Sequence, residues 1–128
     1  MLVFVGGCFG ALARVAFSTA VPALPGELPV TTLAENVGGA FLLAVLFSAT
    51  SRRVVSEPTA RLVLGTGVLG SFTTYSAVAV EVDGLVRGGG TTLGLGYAAL
   101  TLALGLLAAG VGLLAGRALT RPIPWDSS

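Results

Sequence analysis

Four long apolar segments, separated by short interruptions rich in proline, glycine or charge, dominate the pattern along the chain. Pro22, Pro25 and Pro29 end the first segment, and the pair Arg52-Arg53 ends the second. Proline and glycine interrupt helices, so these positions separate one helix from the next. The pattern predicts helices at about residues 1–21, 31–51, 59–83 and 91–117.

Each predicted helix is long enough to cross a membrane. About 20 residues, at a rise of about 1.5 Å each, span a hydrocarbon core of about 30 Å. The connections are short, so neighbouring helices run antiparallel. The sequence therefore predicts an all-α membrane protein with four transmembrane helices in a single domain, residues 1–128.

Composition supports this class and excludes others. The 128 residues are 54% hydrophobic and 10% charged, with a mean hydropathy of +0.93, whereas soluble domains carry about 25% charged residues. A net charge of +1 provides no basic patch for nucleic acid. One cysteine and no histidine exclude an internal disulfide and a Cys–His zinc site. With no nucleophile–base pair either, we predict a multi-pass cell-membrane protein that is not an enzyme.

The third segment has an unusual centre. Residues 62–80 carry no charge, yet they include the stretch GTGVLGSFTTYS, rich in glycine and hydroxyl side chains. Glycine costs a helix interior about 1 kcal/mol relative to alanine, and Ser and Thr offer competing hydrogen bonds. One interpretation is a helix break near Gly70–Thr73, whose freed carbonyl oxygens line a cavity and coordinate a cation. The other is a continuous helix, bent by hydroxyls that bond to carbonyls one turn earlier.

The same stretch matches a dinucleotide-binding pattern, G-x-G-x-x-G, from Gly65 to Gly70. That pattern binds a dinucleotide only between a strand and a helix, with an acidic residue about 20 positions further on. Glu81 and Asp83 come too early, and the run is apolar and of membrane length. The sequence therefore predicts no nicotinamide site.

Other polar groups lie within the apolar segments. Arg14 and Glu35 are ionisable, and such residues in membrane helices are usually paired or functional. A buried Arg14–Glu35 pair is one interpretation, and a position near the membrane surface is the other. Asn36 has an amide that donates to an anion or accepts from a cation. Tyr97 and Thr101 are one turn apart, so both face the same way.

Small residues indicate where helices pack. Two pairs of glycines are spaced four apart, Gly6 with Gly10 and Gly112 with Gly116. This spacing lets helix backbones approach closely in lipid. Four such helices make a thin bundle, so we predict an oligomer with a pathway built partly at the subunit interface.

Three motifs, in order on the first three helices, resemble those of the Fluc (CrcB-type) family of fluoride channels. Residues 6–14, GGCFGALAR, are similar to the family's G-G-x-x-G-A-x-x-R. Residues 36–43, NVGGAFLL, resemble N-x-x-G-S/A-F-L-L, and residues 67–76, GVLGSFTTYS, resemble G-x-x-G-G-F-T-T-F-S.

The resemblance implies an antiparallel dimer that conducts fluoride passively out of the cell. It also implies a structural sodium ion at the dimer centre, which is not transported. Backbone carbonyls of Gly70 and Thr73 would coordinate this ion. The pathway positions carried over are Asn36, Tyr75, Ser76, Tyr97 and Thr101. The structural or interface positions are Arg14, Phe72 and Glu81.

The chain departs from the family pattern at several pathway positions. Tyr75 and Val78 stand where the family has phenylalanines, and Ala77 and Gly105 stand where it has polar residues. Glu35 replaces an apolar residue. One set of pore-lining groups is therefore degraded.

Arginines are distributed unevenly between the two sides of the predicted membrane span. The side with both termini carries Arg52, Arg53, Arg61, Arg117 and Arg121, whereas the other carries Arg87. The positive-inside rule then predicts one orientation, with both termini cytoplasmic. An antiparallel homodimer would need both orientations. We therefore predict an antiparallel heterodimer with a paralogous subunit of opposite orientation, with the homodimer as the alternative.

Two other functions remain open. A small multidrug exporter also has four helices, but it depends on a carboxylate in the first helix, which this chain lacks. A non-conducting structural subunit is consistent with the degraded pore positions. Replacing Asn36 by alanine distinguishes these cases, because it should abolish fluoride flux only in a conducting complex.

Overall fold

The computed structural model describes residues 1–22, 24, 26–51 and 58–119, and it is helical throughout apart from short connections. Within the described residues, four helical spans are long and apolar enough to cross a membrane: Leu2–Ala20, Val30–Ala49, Pro58–Arg87 and Thr91–Leu119. The predicted all-α fold with four membrane-spanning helices is therefore confirmed.

The first, second and fourth spans are single helices. They are α1 (Leu2–Ala20), α2 (Val30–Ser51) and α6 (Thr91–Leu119). The third span is composite, with α3 (Pro58–Arg61), a π-helical segment (Leu62–Leu69), α4 (Gly70–Phe72) and α5 (Tyr75–Arg87). It continues past its predicted end at residue 83, and Arg87 bonds there to Asp83 one turn earlier, at 2.7 Å.

The third span breaks at Thr73 and Thr74. Both residues have extended backbones, with φ −77° and ψ 153° at Thr73 and φ −146° and ψ 127° at Thr74. The Thr73 hydroxyl does bond back to the Leu69 carbonyl one turn earlier, at 3.0 Å. The helix is nevertheless interrupted, so the predicted break is confirmed and the continuous bent helix is wrong.

The π-helical segment is a feature that the sequence pattern does not predict. The Gly70 N–H, at its end, bonds to the Gly65 carbonyl five residues earlier. Such segments are rare and often lie at functional sites. Gly65 and Gly67, from the dinucleotide-like pattern, are buried in this segment. Those glycines therefore serve helix packing in this protein.

Glycines bring the helices together in two pairs. α1 lies against the π-helical segment, where a methyl group added at Gly6 would come within 2.7 Å of the Val63 carbonyl oxygen, and one at Gly10 would overlap Val68. α2 lies against α6, where a methyl group at Gly112 would come within 2.5 Å of the Phe41 carbonyl oxygen. Close packing at both predicted glycine pairs is confirmed.

The subunit buries polar side chains and exposes large apolar ones. Thr31, Thr32, Glu35, Ser48 and Thr74 are buried, whereas large apolar side chains along all four spans are exposed. Inside a membrane this arrangement is favourable, because lipid solvates apolar groups while polar groups need protein partners. Thr32 and Thr74 lie where α2 meets the break and α5, whereas Ser48 faces α6.

Candidate functional site

The Asn36 side chain holds the break in place. Its Nδ2 donates to the Thr74 carbonyl oxygen at 2.9 Å, and its Oδ1 accepts from the Thr74 N–H at 2.8 Å. In a continuous helix the Thr74 N–H would donate to the Gly70 carbonyl instead. One amide on α2 thus satisfies both backbone groups of a residue in the interrupted span, as a membrane interior requires.

The break frees carbonyl oxygens at the predicted cation ligands. The Thr74 N–H, the usual partner of the Gly70 carbonyl, is bonded to Asn36. No hydrogen bond from the described residues reaches the Thr73 carbonyl. The described residues hold no group of three His, Cys, Asp or Glu side chains placed to bind a metal. Backbone oxygens of this kind suit a hard alkali cation, so the residues fit the implied sodium ion.

Hydroxyl groups surround the start of α5. The Thr74 hydroxyl caps this helix by accepting from the Ala77 N–H at 3.2 Å. The same oxygen lies 3.2 Å from the hydroxyl oxygen of Ser76. The helix start carries a partial positive charge. The region beyond the break therefore combines hydroxyl donors with a potential that favours anions.

A cavity of about 930 Å³ opens at the break, between α2, α5 and α6. Five of the predicted site residues line it: Asn36, Gly70, Thr73, Tyr75 and Thr101. Tyr75 is 87% exposed, so its ring projects from the subunit. Val78 and Gly105, two of the positions that depart from the family pattern, also line this cavity.

The structure places Tyr97 away from this cavity. Its side chain is 1% exposed, and its hydroxyl donates to Glu81 Oε2 at 2.7 Å. The Thr32 hydroxyl donates to the other oxygen of the same carboxylate. Tyr97 and Thr101 are joined through the backbone, with the Thr101 hydroxyl bonded to the Tyr97 carbonyl at 2.8 Å. Tyr97 therefore fixes Glu81, while Thr101 reaches the cavity.

A second cavity, of about 330 Å³, lies between α1, α2 and α5. Arg14, Glu35 and Glu81 line it together with Thr74. No ion pair joins Arg14 to Glu35 in the described residues, so the predicted buried pair does not form. Glu35 instead accepts a hydrogen bond from the Ser18 hydroxyl at 2.9 Å. Because Thr74 lines both cavities, the two adjoin at the break.

Some residues of the site escaped the sequence interpretation. Ser18 and Thr32 orient the two carboxylates, and Thr74 links the cavities. In the sequence, each of these residues is a hydroxyl side chain within an apolar segment, which marks it as unusual. Its bonding partner could not be inferred, because that partner lies on another helix. Phe72 packs beside α2, because a methyl group added at Gly39 would lie 3.7 Å from Cδ1 of the Phe72 ring.

Sequence comparisons place this geometry among known proteins. Residues 1–113 match the family described as CrcB-like protein, Camphor Resistance (CrcB). The chain is 43% identical over 122 residues to fluoride-specific ion channel FluC 2 of Leifsonia xyli, covering 93% of this chain and 83% of that protein. It is 42% identical over 113 residues to fluoride-specific ion channel FluC of Deinococcus radiodurans, covering 87% and 89%. It is 41% identical over 115 residues to the FluC of Sorangium cellulosum, covering 89% and 91%.

Proposed function

The chain belongs to the CrcB-like family, and from that premise we propose that it is a subunit of a fluoride channel that lets fluoride leave the cytoplasm passively. The observation that carries the proposal is the break at Thr73 and Thr74, fixed by Asn36 beside a cavity of about 930 Å³. A transmembrane helix that only packs in lipid has no need of such an interruption.

The proposal includes a structural sodium ion held by the carbonyls of Gly70 and Thr73. Both residues line the larger cavity, and Gly70 is exposed on the subunit surface. A subunit surface is where a second subunit could complete the coordination of the ion at a dimer centre. Such a cation supplies a fixed positive charge, which lowers the cost of bringing an anion to the membrane centre.

Fluoride is small and strongly hydrated, so a pathway must replace its water with other donors. One Nδ2 hydrogen of Asn36 is bonded to Thr74, and the amide has a second hydrogen to offer. The exposed hydroxyl of Ser76 and the positive edge of the Tyr75 ring are further donors near the break. We assign these residues and Thr101 to the fluoride pathway.

We further propose an antiparallel heterodimer with a paralogous subunit of opposite orientation. Tyr75 projects from the subunit, and Val78 lines the larger cavity at a position where the family has a phenylalanine. A partner subunit could supply the aromatic rings that this chain lacks at the cavity. The uneven arginine distribution supports one orientation for this chain, with cytoplasmic termini, although Arg52, Arg53 and Arg121 lie outside the described residues.

The test is fluoride efflux from liposomes that contain the chain alone or the chain with its paralogue. We expect fluoride flux without chloride flux from the mixed preparation, and its loss when Asn36 is replaced by alanine. Absence of fluoride flux from both preparations would contradict the channel proposal. Robust flux from the chain alone would contradict only the heterodimer, and C-terminal reporters would show whether one orientation or both occur.

The same experiment separates the two alternatives. A multidrug exporter would move organic cations rather than fluoride, and α1 contains no carboxylate to couple such transport to protons. A non-conducting subunit would leave the flux of its complex unchanged after the Asn36→Ala substitution. Loss of flux in an Asn36→Ala variant that still assembles therefore favours a conducting subunit over both.

A further inference from the structure

A second carboxylate lies inside the membrane region beside the proposed pathway. Glu35 directly precedes Asn36 on α2, is 1% exposed and lines the cavity of about 330 Å³. Its Oε1 accepts the hydrogen bond from Ser18 at 2.9 Å. Ionisable side chains in membrane helices are costly and are usually functional. Nothing in the function proposed above uses this carboxylate.

The charged groups that face the same cavity as Glu35, counted together with it, are more negative than positive. Arg14 on α1 and Glu81 on α5 line the same cavity, and Tyr97 on α6 bonds to Glu81. No ion pair within the described residues joins Arg14 to either carboxylate. With both carboxylates ionised, one positive and two negative groups face this cavity, so it carries a net negative charge.

That charge lies where it would act on a passing anion. Thr74 lines both cavities, so an anion that moves between them passes the break. Charges act over longer distances in a narrow cavity with apolar walls than in bulk water, because fewer water molecules screen them. An ionised Glu35 therefore raises the energy of an anion in the smaller cavity.

We propose that Glu35 limits how fast fluoride enters the pathway, because its negative charge opposes an anion in the smaller cavity. This inference rests on the proposed function, because it concerns a rate of fluoride flux. It assigns Glu35 to rate control rather than to direct fluoride binding.

The test compares fluoride efflux from liposomes holding the conducting assembly with wild-type chain or with Glu35→Gln. The amide has nearly the shape of the carboxyl group and keeps an oxygen for Ser18. We expect a flux at neutral pH at least about threefold above wild type. Protein-free liposomes correct for hydrogen fluoride that crosses the lipid directly.

Glu27→Gln is the matched control. It removes the same charge from an exposed residue in the loop before α2, outside both cavities. Water and salt screen a charge at that position. We therefore expect wild-type flux from this variant.

Equal flux in wild type and Glu35→Gln would overturn the proposal, and so would lower flux in an assembled variant. If Glu35→Gln fails to assemble, Glu35→Ala provides the test, because it also removes the charge and should also raise the flux. Equal or lower flux in the assembled Glu35→Ala variant would overturn the proposal. Wild-type protein without any fluoride flux would contradict the proposed function as well.

Discussion

At the scale of single residues, one side chain forms the hydrogen bonds that the backbone forms in an ordinary helix. Asn36 bonds to both the N–H and the carbonyl of Thr74, a residue 38 positions away in the chain. Neither Thr74 group takes part in a backbone–backbone hydrogen bond within the described residues, so the Asn36 side chain is the partner of both. The extended conformation of the break therefore depends on this amide.

Replacing Asn36 by alanine should destabilise the fold and stop conduction. Each backbone group left unsatisfied in a buried site costs about 1–3 kcal/mol. We expect a loss of about 2 kcal/mol or more in the free energy of unfolding, and at least a tenfold loss of fluoride flux. Thermal unfolding in detergent and efflux from liposomes measure the two effects.

Ser48→Ala is the control for that substitution. Ser48 is another buried polar residue of α2, and its hydroxyl donates to the Leu113 carbonyl at 3.2 Å, outside both cavities. We expect a stability loss of about 1 kcal/mol and normal flux. A Ser48→Ala variant as inactive as Asn36→Ala would show that flux reports only on folding.

Gly39 should be sensitive to a single added methyl group. A side chain there would overlap the methyl group of Thr73, at the break itself. Overpacking of this kind costs about 1–3 kcal/mol. We expect Gly39→Ala to displace Thr73 and reduce fluoride flux severalfold. At the adjacent Gly38 an added methyl group meets no atom of the subunit within 4 Å, so Gly38→Ala should conduct normally. Equal flux in both variants would contradict this account.

At this scale the sequence indicated which residues to examine, but not their bonding. Asn36 stands out as an amide within an apolar helix, and its place in the fluoride pathway was a prediction from the family resemblance. Its partner Thr74 could not be inferred, because the contact depends on how α2 packs against the third span. The same limitation applied to Glu35, whose partner is Ser18 rather than Arg14.

At the scale of elements, the break was predictable and the π-helical segment was not. Glycine and threonine at residues 70–74 weaken a helix by known amounts, so their composition indicates an interruption. A π-helix uses the same kinds of residue as an α-helix and differs by one residue per hydrogen-bonded turn. Hydropathy and propensity do not distinguish the two, and only the packing against α1 does.

The glycines between α2 and α6 give a prediction at this scale. A methyl group at Gly112 would lie 2.5 Å from the Phe41 carbonyl oxygen and 2.9 Å from the Ala44 side chain. We expect Gly112→Ala to separate these helices and to lower the free energy of unfolding by about 1–3 kcal/mol. Thermal unfolding of the variant measures this change.

Gly110→Ala is the matched control, because its added methyl group meets nothing within 4 Å in the subunit. Alanine also favours a helix over glycine by about 1 kcal/mol. This variant should therefore be as stable as wild type or more stable. If Gly110→Ala lowered the free energy of unfolding as much as Gly112→Ala, the contact between α2 and α6 would explain neither result.

At the scale of the whole molecule, the subunit is open on one side. The larger cavity is bounded by α2, α5 and α6, and Tyr75 projects from it. The four-span fold follows from hydropathy alone, because each span needs only sufficient length and apolar character. The partner that we propose to close the cavity cannot be inferred in that way, since its contribution would come from another chain.

The proposed sodium ion gives a prediction for the assembled protein. A ligand that binds only the folded state at 100 times its dissociation constant stabilises that state by about 2.7 kcal/mol. Replacing sodium by N-methyl-D-glucamine should therefore lower the unfolding temperature and reduce fluoride flux. Both should recover when sodium is returned. Identical unfolding temperatures and fluxes in the two salts would contradict the sodium site.

The π-helical segment also sets the direction in which everything after it points. Successive residues of a helix are rotated by about 100° around its axis. In an ordinary α-helix one extra residue would rotate Thr73 and Thr74 by that angle, out of reach of Asn36, whereas a turn closed by a hydrogen bond over five residues accommodates the extra residue. One residue inserted between this segment and the break would hardly change the hydropathy profile, yet it would turn the site away from Asn36. The wide turns thus keep the site in register with α2, separately from the chemistry of their side chains.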